Sequence, residues 1–316
     1  MMCDKRLSII IPFYNVEQYI AQCLDSVYDQ DIPEEEYEVI CVNDMSPDNS
    51  RDTVIAYQKD HANLYLIDHD VNKKLGGARN TGMRVAKGKY IIFLDSDDMF
   101  KPNCLKQLIV EMESQQDDYI HFNYVKYYGD GKYDMESTYD CTTNQMTGSD
   151  LFFCKAIPWQ HQISACRKIY RTDFVRYNNL YFEENTMYED NDFSMRVAAA
   201  ATKCRHLDIS PYIYRQNPES VTKAPVSATR LLYWQKTWPI ITQLLDTIGK
   251  QDYRFIDLIN FYMRYDLWDV MNNMYKLPKN QRKVVKHNLS ISEWWRYICF
   301  LPLKRRIEYV YKLIKA

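Results

Sequence analysis

The stretch K-Y-I-I-F-L-D-S-D-D-M, Lys89 to Met99, decides the fold. Tyr90 to Leu94 form a continuous apolar run after Gly88, which is typical of a central parallel strand covered on both faces. Asp95 and Asp97 follow at the carboxyl end of this strand, where open parallel sheets bind their ligands. Side chains two residues apart leave the same face of an extended chain. Two carboxylates on one side favour a divalent-cation site, and a simple polar loop is the alternative.

Strand and helix patterns alternate on both sides of this stretch. Apolar strands are predicted at Leu7 to Pro12, Tyr37 to Val42 and Leu64 to Ile67, and a helical pattern follows each of them. Such alternation predicts an α/β fold with a mostly parallel, doubly wound sheet. The predicted helices begin at Asn15, Ser50, Ala78 and Pro102. Asn15 is expected to form a capping box with Gln18. The helix from Ala78 follows Gly76 and Gly77 and is expected to end at Gly88.

The pattern changes after the predicted sheet. Tyr119 to Tyr128 and Tyr133 to Tyr139 predict a β-hairpin around G-D-G-K, and mixed short elements follow. From Ala228 the apolar spacing is helical to the end of the sequence. We therefore expect a first domain over residues 1–225, with a nucleotide-binding half at about 1–117 and an acceptor half at 118–225, and a helical, basic C-terminal region over 226–316.

Composition indicates a globular protein from a reducing compartment. The 316 residues are 46% hydrophobic and 26% charged, which allows a substantial core. The nine cysteines include no C-x-x-C pair, which favours free thiols and a cytoplasmic location. The apolar run before Pro12 is too short for a signal peptide, and no run approaches the roughly 20 apolar residues that span a bilayer. We expect a soluble protein, or one held at the inner face of the plasma membrane.

Charge is distributed unevenly along the chain. Residues 226–316 carry 16 Lys+Arg against 7 Asp+Glu, a net charge of +9, whereas the first 225 residues carry a net charge of −11. The stretch from Trp294 to Lys315 mixes aromatic and cationic residues in a way that suits an anionic membrane surface. A solvated helical subdomain is the alternative, and we expect no nucleic-acid partner.

Five short motifs occur in a fixed order along the chain. They are I-I-I-P-F-Y-N, E-V-I-C-V-N-D-M-S-P-D-N-S, G-G-A-R-N-T-G, F-L-D-S-D-D and Y-E-D-N-D-F. In order and spacing they resemble family 2 glycosyltransferases of the bacterial polysaccharide-biosynthesis type, which have the Rossmann-like GT-A fold, and the resemblance covers about Leu7 to Thr222. The ordered set is far more specific than any single motif.

The resemblance implies a reaction class. It implies a metal-dependent, inverting transferase that moves a hexosyl or N-acetylhexosaminyl group from a nucleoside-diphosphate donor, with UDP favoured. The acceptor would be a hydroxyl of a glycan or of a lipid-linked saccharide. Single addition is favoured because the Q-x-x-R-W signature of processive synthases is absent.

The resemblance also implies which residues bind the donor. Asp97, with Asp95 beside it, would hold Mn²⁺ or Mg²⁺, which neutralises the charge growing on the leaving diphosphate. Asp95 and Ser96 would lie at the nucleotide, with Asp95 contacting the ribose or acting through water. Asp44 would accept a hydrogen bond from the base N3–H, and the ring of Tyr14 would stack beside that base.

Three further residues belong to the expected nucleotide site. Pro12 and Asn15 are expected to shape its loop, and Asn15 alone is also explained as a helix cap. Arg79, the arginine of the A-R-N motif, is expected to contact the base or a phosphate. An ordinary surface salt bridge is the alternative for Arg79.

The motif Y-E-D-N-D-F is expected to supply the acceptor side. Inversion needs a base opposite the leaving group, and the resemblance assigns that role to Asp190. Glu189 is expected to orient the acceptor, and Trp159 and His161 are expected to contact it, with packing as the alternative for the last two. Acidic residues are common in the first turn of a helix, so this motif alone would not decide the matter.

Two positions depart from the family pattern. Family members usually carry glycine where Met45 and Lys74 stand. A methionine takes positive φ only at a cost, so we expect the turn after Asp44 to differ in shape.

Three other functions are compatible with parts of the sequence. A nucleotidyltransferase would need a glycine-rich loop with a lysine after the first strand, which P-F-Y-N lacks. A non-catalytic nucleotide-sugar-binding subunit would not need the full set of acidic residues that this sequence has. An NAD-dependent oxidoreductase is disfavoured because no G-x-G-x-x-G follows the first strand. The sequence leaves homo-oligomer formation open.

Overall fold

A computed structural model describes residues 5–134, 142–154, 162–217, 226–248 and 253–315. The chain divides into two compact units. The first comprises Met1–Asn185 and Glu189–Pro218, and the second comprises Thr186–Tyr188 and Glu219–Ala316. The domain boundaries expected at residues 117 and 225 stay predictions.

A nine-stranded sheet organises the first unit. Its first four strands are parallel, which confirms the α/β class predicted from the alternating pattern. They are β1 (Leu7–Phe13), β2 (Tyr37–Asn43), β3 (Leu64–Asp68) and β4 (Tyr90–Phe93), in the spatial order β3-β2-β1-β4. Beyond β4 the sheet continues through strands of both directions, which are β5 (Met99–Phe100), β6 (Tyr119–Tyr127), β7 (Tyr133–Asp134), β8 (Lys168–Arg171) and β9 (Cys204–Arg215).

The second half of the sheet is joined through β8. This strand pairs antiparallel with both β4 and β6, and β9 runs parallel to β6. The predicted hairpin is present, since β6 pairs antiparallel with β7 as far as Asp134. The rest of its expected second strand, residues 135–139, lies outside the described residues.

The first unit contains helices as well as this sheet, and the second unit is helical. In the first unit they are α1 (Ile20–Tyr28), α2 (Ser50–Gln58), α3 (Lys74–Val85), α4 (Leu105–Gln115), α5 (Gly148–Phe152), α6 (Thr172–Tyr177) and α7 (Glu189–Ala200). In the second they are α8 (Ala228–Ile248), α9 (Tyr253–Met274), α10 (Lys279–His287), α11 (Ile291–Ile298) and α12 (Leu303–Lys315). Among the helices described, none combines the length and apolar character needed to cross a membrane.

Three predicted helix starts are wrong, those of α1, α3 and α4. Helix α1 begins at Ile20 and has no side-chain cap, so Asn15 and Gln18 do not form a capping box. Asn15 instead has φ +56°, and its N–H donates to Ser46 Oγ at 2.7 Å, which makes it part of the loop. Helix α4 begins at Leu105, three residues after the predicted Pro102.

Helix α3 begins four residues earlier than predicted, at Lys74. Gly76 and Gly77 therefore lie inside it, and a Cβ at Gly76 would stand 2.6 Å from the carbonyl oxygen of Glu183. The helix ends at Val85, so Gly88 is not its cap. A Cβ at Gly88 would stand 2.4 Å from the backbone nitrogen of Ser8, so glycine there permits close approach to β1.

Strand β4 lies in the aromatic core of the first unit. The ring of Phe93 meets those of Tyr170, Phe182 and Phe193 edge-to-face, at centroid distances of 5.4 to 6.3 Å. Such contacts fix the strand end by burial and by favourable ring geometry. The carboxylates that follow Leu94 therefore project from a rigid support.

Candidate active site

Polar side chains follow the carboxyl ends of the parallel strands. Asp44 follows β2, His69 follows β3 and Asp95 comes two residues after β4. Because these strands belong to one parallel set, in the order β3-β2-β1-β4, the three positions lie along one edge of the sheet. This is the edge where the sequence predicts the nucleotide site.

Arg79 joins the two acidic clusters. From helix α3, its Nη2 donates to Asp95 Oδ1 at 2.8 Å. Its Nη1 donates to Glu189 Oε1 at 2.9 Å and to Asp190 Oδ1 at 2.6 Å. The end of β4 and the first turn of α7 therefore meet at one guanidinium.

Arg79 is not a surface salt bridge, which corrects that alternative. Its side chain is 1% exposed and lies beside the rings of Phe93 and Phe182. Burial opposes the charge, but the carboxylates of Asp190 and Asp95 outweigh it and raise the pKa of Arg79 well above its ordinary value. Both terminal nitrogens bind carboxylates, so Arg79 bridges acidic residues, and its expected contact with a base or phosphate stays a prediction.

Glu189, which is expected to orient the acceptor, has a buried side chain. Its side chain is 7% exposed and is paired with Arg79. Burial, reinforced by the charge of Asp190, raises the pKa of Glu189, and Arg79 acts against this rise. The carboxylate of Glu189 therefore helps to hold Arg79, and its expected role in orienting the acceptor stays a prediction.

Asp190 lies in the first turn of α7 and remains partly open to solvent. Its side chain is 23% exposed. Oδ1 accepts from Arg79, and Oδ2 accepts from the backbone N–H of Ala165 at 3.2 Å. Both oxygens are thus oriented, and each keeps a lone pair that a substrate hydroxyl can approach.

Asp95, Ser96 and Asp97 form the loop after β4. Burial and the charge of Asp95 raise the pKa of Asp97 to about 6, which is the situation of two carboxylates confined together. In the part of the chain that the structure describes, no three or more acidic, histidine or cysteine side chains are placed to hold a metal ion. A Mg²⁺-type cation usually takes one or two carboxylates and completes its shell with substrate phosphates and water, so Asp95 and Asp97 fit such an ion.

Asp98, the third acidic residue of D-S-D-D, has a structural role that the sequence reasoning missed. Its carboxylate accepts from Tyr212 Oη at 2.6 Å and from the backbone N–H of Arg215 at 2.8 Å. Arg215 also donates from Nε to the carbonyl oxygen of Asp97 at 2.7 Å. These bonds tie the loop after β4 to the end of β9.

Asp44 is held by a histidine that the sequence reasoning also missed. Asp44 Oδ1 accepts from the backbone N–H of Lys73 at 2.7 Å and lies 2.8 Å from Nδ1 of the buried His69. On the other side of the ring, Nε2 lies 2.8 Å from Thr81 Oγ1. The signal was available, because His69 follows β3 as Asp44 follows β2, and these strands are parallel neighbours.

The two residues that depart from the family pattern both have a left-handed backbone. Met45, directly after Asp44, has φ +62°, and Lys74, at the start of α3, has φ +63°. Methionine therefore does take a positive φ after Asp44, and the expected difference in the shape of that turn stays a prediction. Both residues lie in a backbone region that usually favours glycine.

The remaining expected residues lie in different surroundings. Pro12 is buried in β1 and pairs with Val42 of β2. The pairing of β1 with β4 already ends at Ile10, so a proline, which has no N–H, is tolerated at position 12. Tyr14 is 52% exposed at the same edge, and Ser96 is buried. Trp159 and His161 lie outside the described residues.

Comparison with known proteins places this arrangement among sugar transferases. The family model for glycosyl transferase family 2 matches residues 8–180, more than half of the chain. The uncharacterized glycosyltransferase EpsJ of Bacillus subtilis is 29% identical over 289 residues, which cover 89% of this chain and 81% of EpsJ. The poly(ribitol-phosphate) beta-N-acetylglucosaminyltransferase TarS of Staphylococcus aureus is 30% identical over 227 residues, which cover 70% of this chain but only 38% of TarS.

Solved structures share the fold. Residues 1–349 of S. aureus TarS in complex with UDP superpose with a TM-score of 0.73 at 22% identity, covering 98% of this chain and 87% of that one. The mannosyltransferase PcManGT from Pyrobaculum calidifontis, in complex with GDP-Man and Mn²⁺, gives a TM-score of 0.57 at 14% identity, covering 98% and 85%. The predicted GT-A fold with a helical C-terminal region is confirmed.

Proposed function

Because the chain belongs to glycosyl transferase family 2 and is a glycosyltransferase, we propose that it transfers one sugar from a UDP-sugar to a hydroxyl of a glycan or lipid-linked saccharide, with inversion. A single observation carries the proposal. Arg79 binds Asp95 and Asp190 at the same time, so an acidic residue expected at the donor and one expected at the acceptor lie in one place. The free thiols of the described cysteines support a reducing, cytoplasmic setting.

The choice of UDP draws on the relatives. TarS is an N-acetylglucosaminyltransferase by name, and its structures hold UDP or UDP-GlcNAc. In this chain Asp44 is the residue proposed to bind the base. Its Oδ1 contacts His69 Nδ1 and the backbone N–H of Lys73, which fixes the carboxylate, and Oδ2 is the proposed acceptor for the base N3–H. Tyr14 has the exposure that ring stacking on a base requires.

The metal dependence rests on the acidic pair after β4. Asp97 and Asp95 would hold the ion, with Mn²⁺ or Mg²⁺ as the candidates, and the structural relative PcManGT was solved with Mn²⁺. When bound there, the ion supplies Lewis-acid stabilisation of the charge on the leaving diphosphate. Asp98 keeps the loop in place through Tyr212 and the backbone of Arg215.

Asp190 is proposed as the general base. Its carboxylate takes the proton of the acceptor hydroxyl while the hydroxyl oxygen forms a bond to the anomeric carbon. The bond from that carbon to the diphosphate oxygen breaks, and its electron pair leaves with UDP. Arg79 and the N–H of Ala165 hold the two oxygens of Asp190 in position for the attack.

Donor hydrolysis by the full chain tests this function. A panel of UDP-glucose, UDP-galactose, UDP-N-acetylglucosamine and GDP-mannose is incubated with Mn²⁺ or Mg²⁺, and nucleotide release is measured with and without EDTA. We expect release from one or more UDP-sugars, lost with EDTA. Binding without release would favour the non-catalytic subunit, and pyrophosphate release from UTP and a sugar 1-phosphate would favour the nucleotidyltransferase.

A further inference from the structure

Helix α12 of the second unit carries apolar side chains on two faces. Tyr309 is buried at 1% exposure and anchors one face. On another face Leu303, Ile307, Tyr311 and Ile314 are 72%, 69%, 56% and 74% exposed, and we call these four residues the α12 stripe. Steps of four, four and three residues align them along one side of the helix. An exposed apolar row of this kind marks a contact surface.

Helix α11 repeats this arrangement. Its buried face contains Trp294 and Tyr297, whose rings meet Trp238 edge-to-face at 5.8 Å and 4.9 Å. Ile291 and Trp295, four residues apart, are exposed at 89% and 54%. The helix is thus fixed by its inner face and leaves an aliphatic and an indole side chain outward.

The charge around the stripe is positive. Lys304 and Arg305 follow Leu303 directly and are exposed. The only acidic residue of α12, Glu308, is paired with Lys312 at 2.9 Å and with Arg305 at 3.5 Å. From Lys276 to the end, the sequence has 11 Lys+Arg against two glutamates.

We propose that the α12 stripe, with Ile291 and Trp295, docks the protein on an anionic lipid bilayer. Aliphatic and aromatic side chains enter the boundary between headgroups and acyl chains, while the neighbouring cations bind lipid phosphates. A second copy of this chain fits the surface less well, because self-association would bring the same cations together. Docking goes beyond the proposed transfer reaction and can be measured without any sugar donor.

Sedimentation with vesicles tests the docking surface. The full chain, the variant I307D/I314D and the matched control V85D/V110D are mixed with vesicles of phosphatidylglycerol or of phosphatidylcholine. Val85 and Val110 are likewise exposed and helical but belong to the first unit. We expect wild type and control to bind phosphatidylglycerol, and I307D/I314D to bind at least about tenfold more weakly. Added salt should weaken the binding of the wild type.

Further measurements decide whether a lipid bilayer or a second copy of the chain binds the α12 stripe. Circular dichroism should show equal helix content and unfolding temperature in the variants, since the changed side chains are exposed. The variant K304E/R305E should also lose binding to phosphatidylglycerol. Equal binding by wild type and I307D/I314D would overturn the proposal. So would a wild type that binds neither vesicle but sediments as a dimer that I307D/I314D abolishes, because the surface would then join two copies.

Discussion

The guanidinium of Arg79 donates a 2.6 Å hydrogen bond to the carboxylate of Asp190, although 111 positions separate the two residues along the chain. The same group binds Asp95 at 2.8 Å. Asp95, proposed to bind the donor, and Asp190, the proposed base, are therefore held relative to each other by one guanidinium. A reaction that needs in-line geometry gains from such fixed positions, because displacement of a reacting group by about 1 Å can cost about 100-fold in rate.

Replacing Asp190 by asparagine should abolish transfer and preserve donor binding. The amide keeps the shape of the side chain and still accepts from Arg79, but it cannot take up the proton of the acceptor hydroxyl. We expect kcat to fall about 10²- to 10⁴-fold. Calorimetry with UDP and Mn²⁺ should give a dissociation constant near that of wild type. Asp173→Asn, in the exposed first turn of α6, is the control. Transfer by Asp190→Asn at the wild-type rate would remove Asp190 from the mechanism.

Neighbouring aspartates after β4 should respond differently to alanine. Asp97→Ala should lose metal-dependent UDP binding and turnover while remaining folded. Asp98→Ala should instead lower the free energy of unfolding by about 2–4 kcal/mol, because the Tyr212 hydroxyl and the Arg215 N–H lose their acceptor. Metal titration by calorimetry and thermal unfolding without metal separate the two effects. Equal loss of stability in both variants would contradict the division of roles.

His69 is expected to act through Asp44. His69→Ala removes the ring that lies against Asp44 Oδ1 and should weaken UDP binding about tenfold, which corresponds to about 1.4 kcal/mol. Since His69 is proposed to act on the nucleotide base and not at the anomeric carbon, KM for the donor should rise while kcat at saturation stays within about twofold. His69→Asn, whose amide can donate to the same oxygen, should recover most of the affinity.

A histidine outside the site provides the control for this experiment. His61 contacts Glu34 at 2.9 Å and stacks on Tyr28, and His61→Ala should leave the donor KM unchanged. A fall in kcat without a rise in KM on His69→Ala would show that His69 does not position the nucleotide site.

The strand ends of this site could be predicted from the sequence, because a buried apolar run followed by carboxylates marks them directly. Parallel pairing then brings the residues after β2 and β4 to one edge without further information. His69 obeys the same rule and was missed only because its strand is short and its motif is not acidic. The edge of the sheet was thus predictable from local patterns alone.

The partners of Arg79 could not be predicted in this way. They depend on where α7 lies against α3, which no local pattern encodes. The cap assigned to Asn15 failed for a related reason, since the chain turns there to let its N–H bond to Ser46 in another loop. Tertiary contacts overrode the local signal in both cases.

Glycine at the two left-handed positions should stabilise the protein. Met45 and Lys74 have φ of +62° and +63°, which costs a side chain roughly 1–2 kcal/mol. Met45→Gly and Lys74→Gly remove that strain, and the greater freedom of glycine in the unfolded chain offsets part of the gain. We expect about 0.5–1 kcal/mol in the free energy of unfolding for each variant. Leu75→Gly, at the next and ordinary helical position, should lower it by about 1 kcal/mol. If Met45→Gly and Lys74→Gly both destabilised the protein, the contacts of the Met45 and Lys74 side chains would contribute more stability than the strain costs.

The second unit should lose stability as pH rises, because of Asp266 in α9. Burial raises the pKa of Asp266 to about 8, helped by the charge of Asp269, while the polar groups of Tyr262 and Trp238 act in the opposite direction. Below about pH 4 the carboxyl is protonated in both states. Between about pH 4 and 8 only the unfolded chain ionises, so the free energy of unfolding falls across that window, by at most about 5 kcal/mol.

Tryptophan fluorescence can follow this loss, since five of the six tryptophans lie in residues 226–316. The thermal unfolding midpoint of the wild type should be lower at pH 8 than at pH 5. Asp266→Asn should show a smaller change of this midpoint with pH and should be more stable than the wild type at pH 8. Asp173→Asn, an exposed carboxylate of the first unit, should keep the wild-type slope. An unchanged slope in Asp266→Asn would mean that another group titrates, because a neutral amide at this position binds no proton in either state.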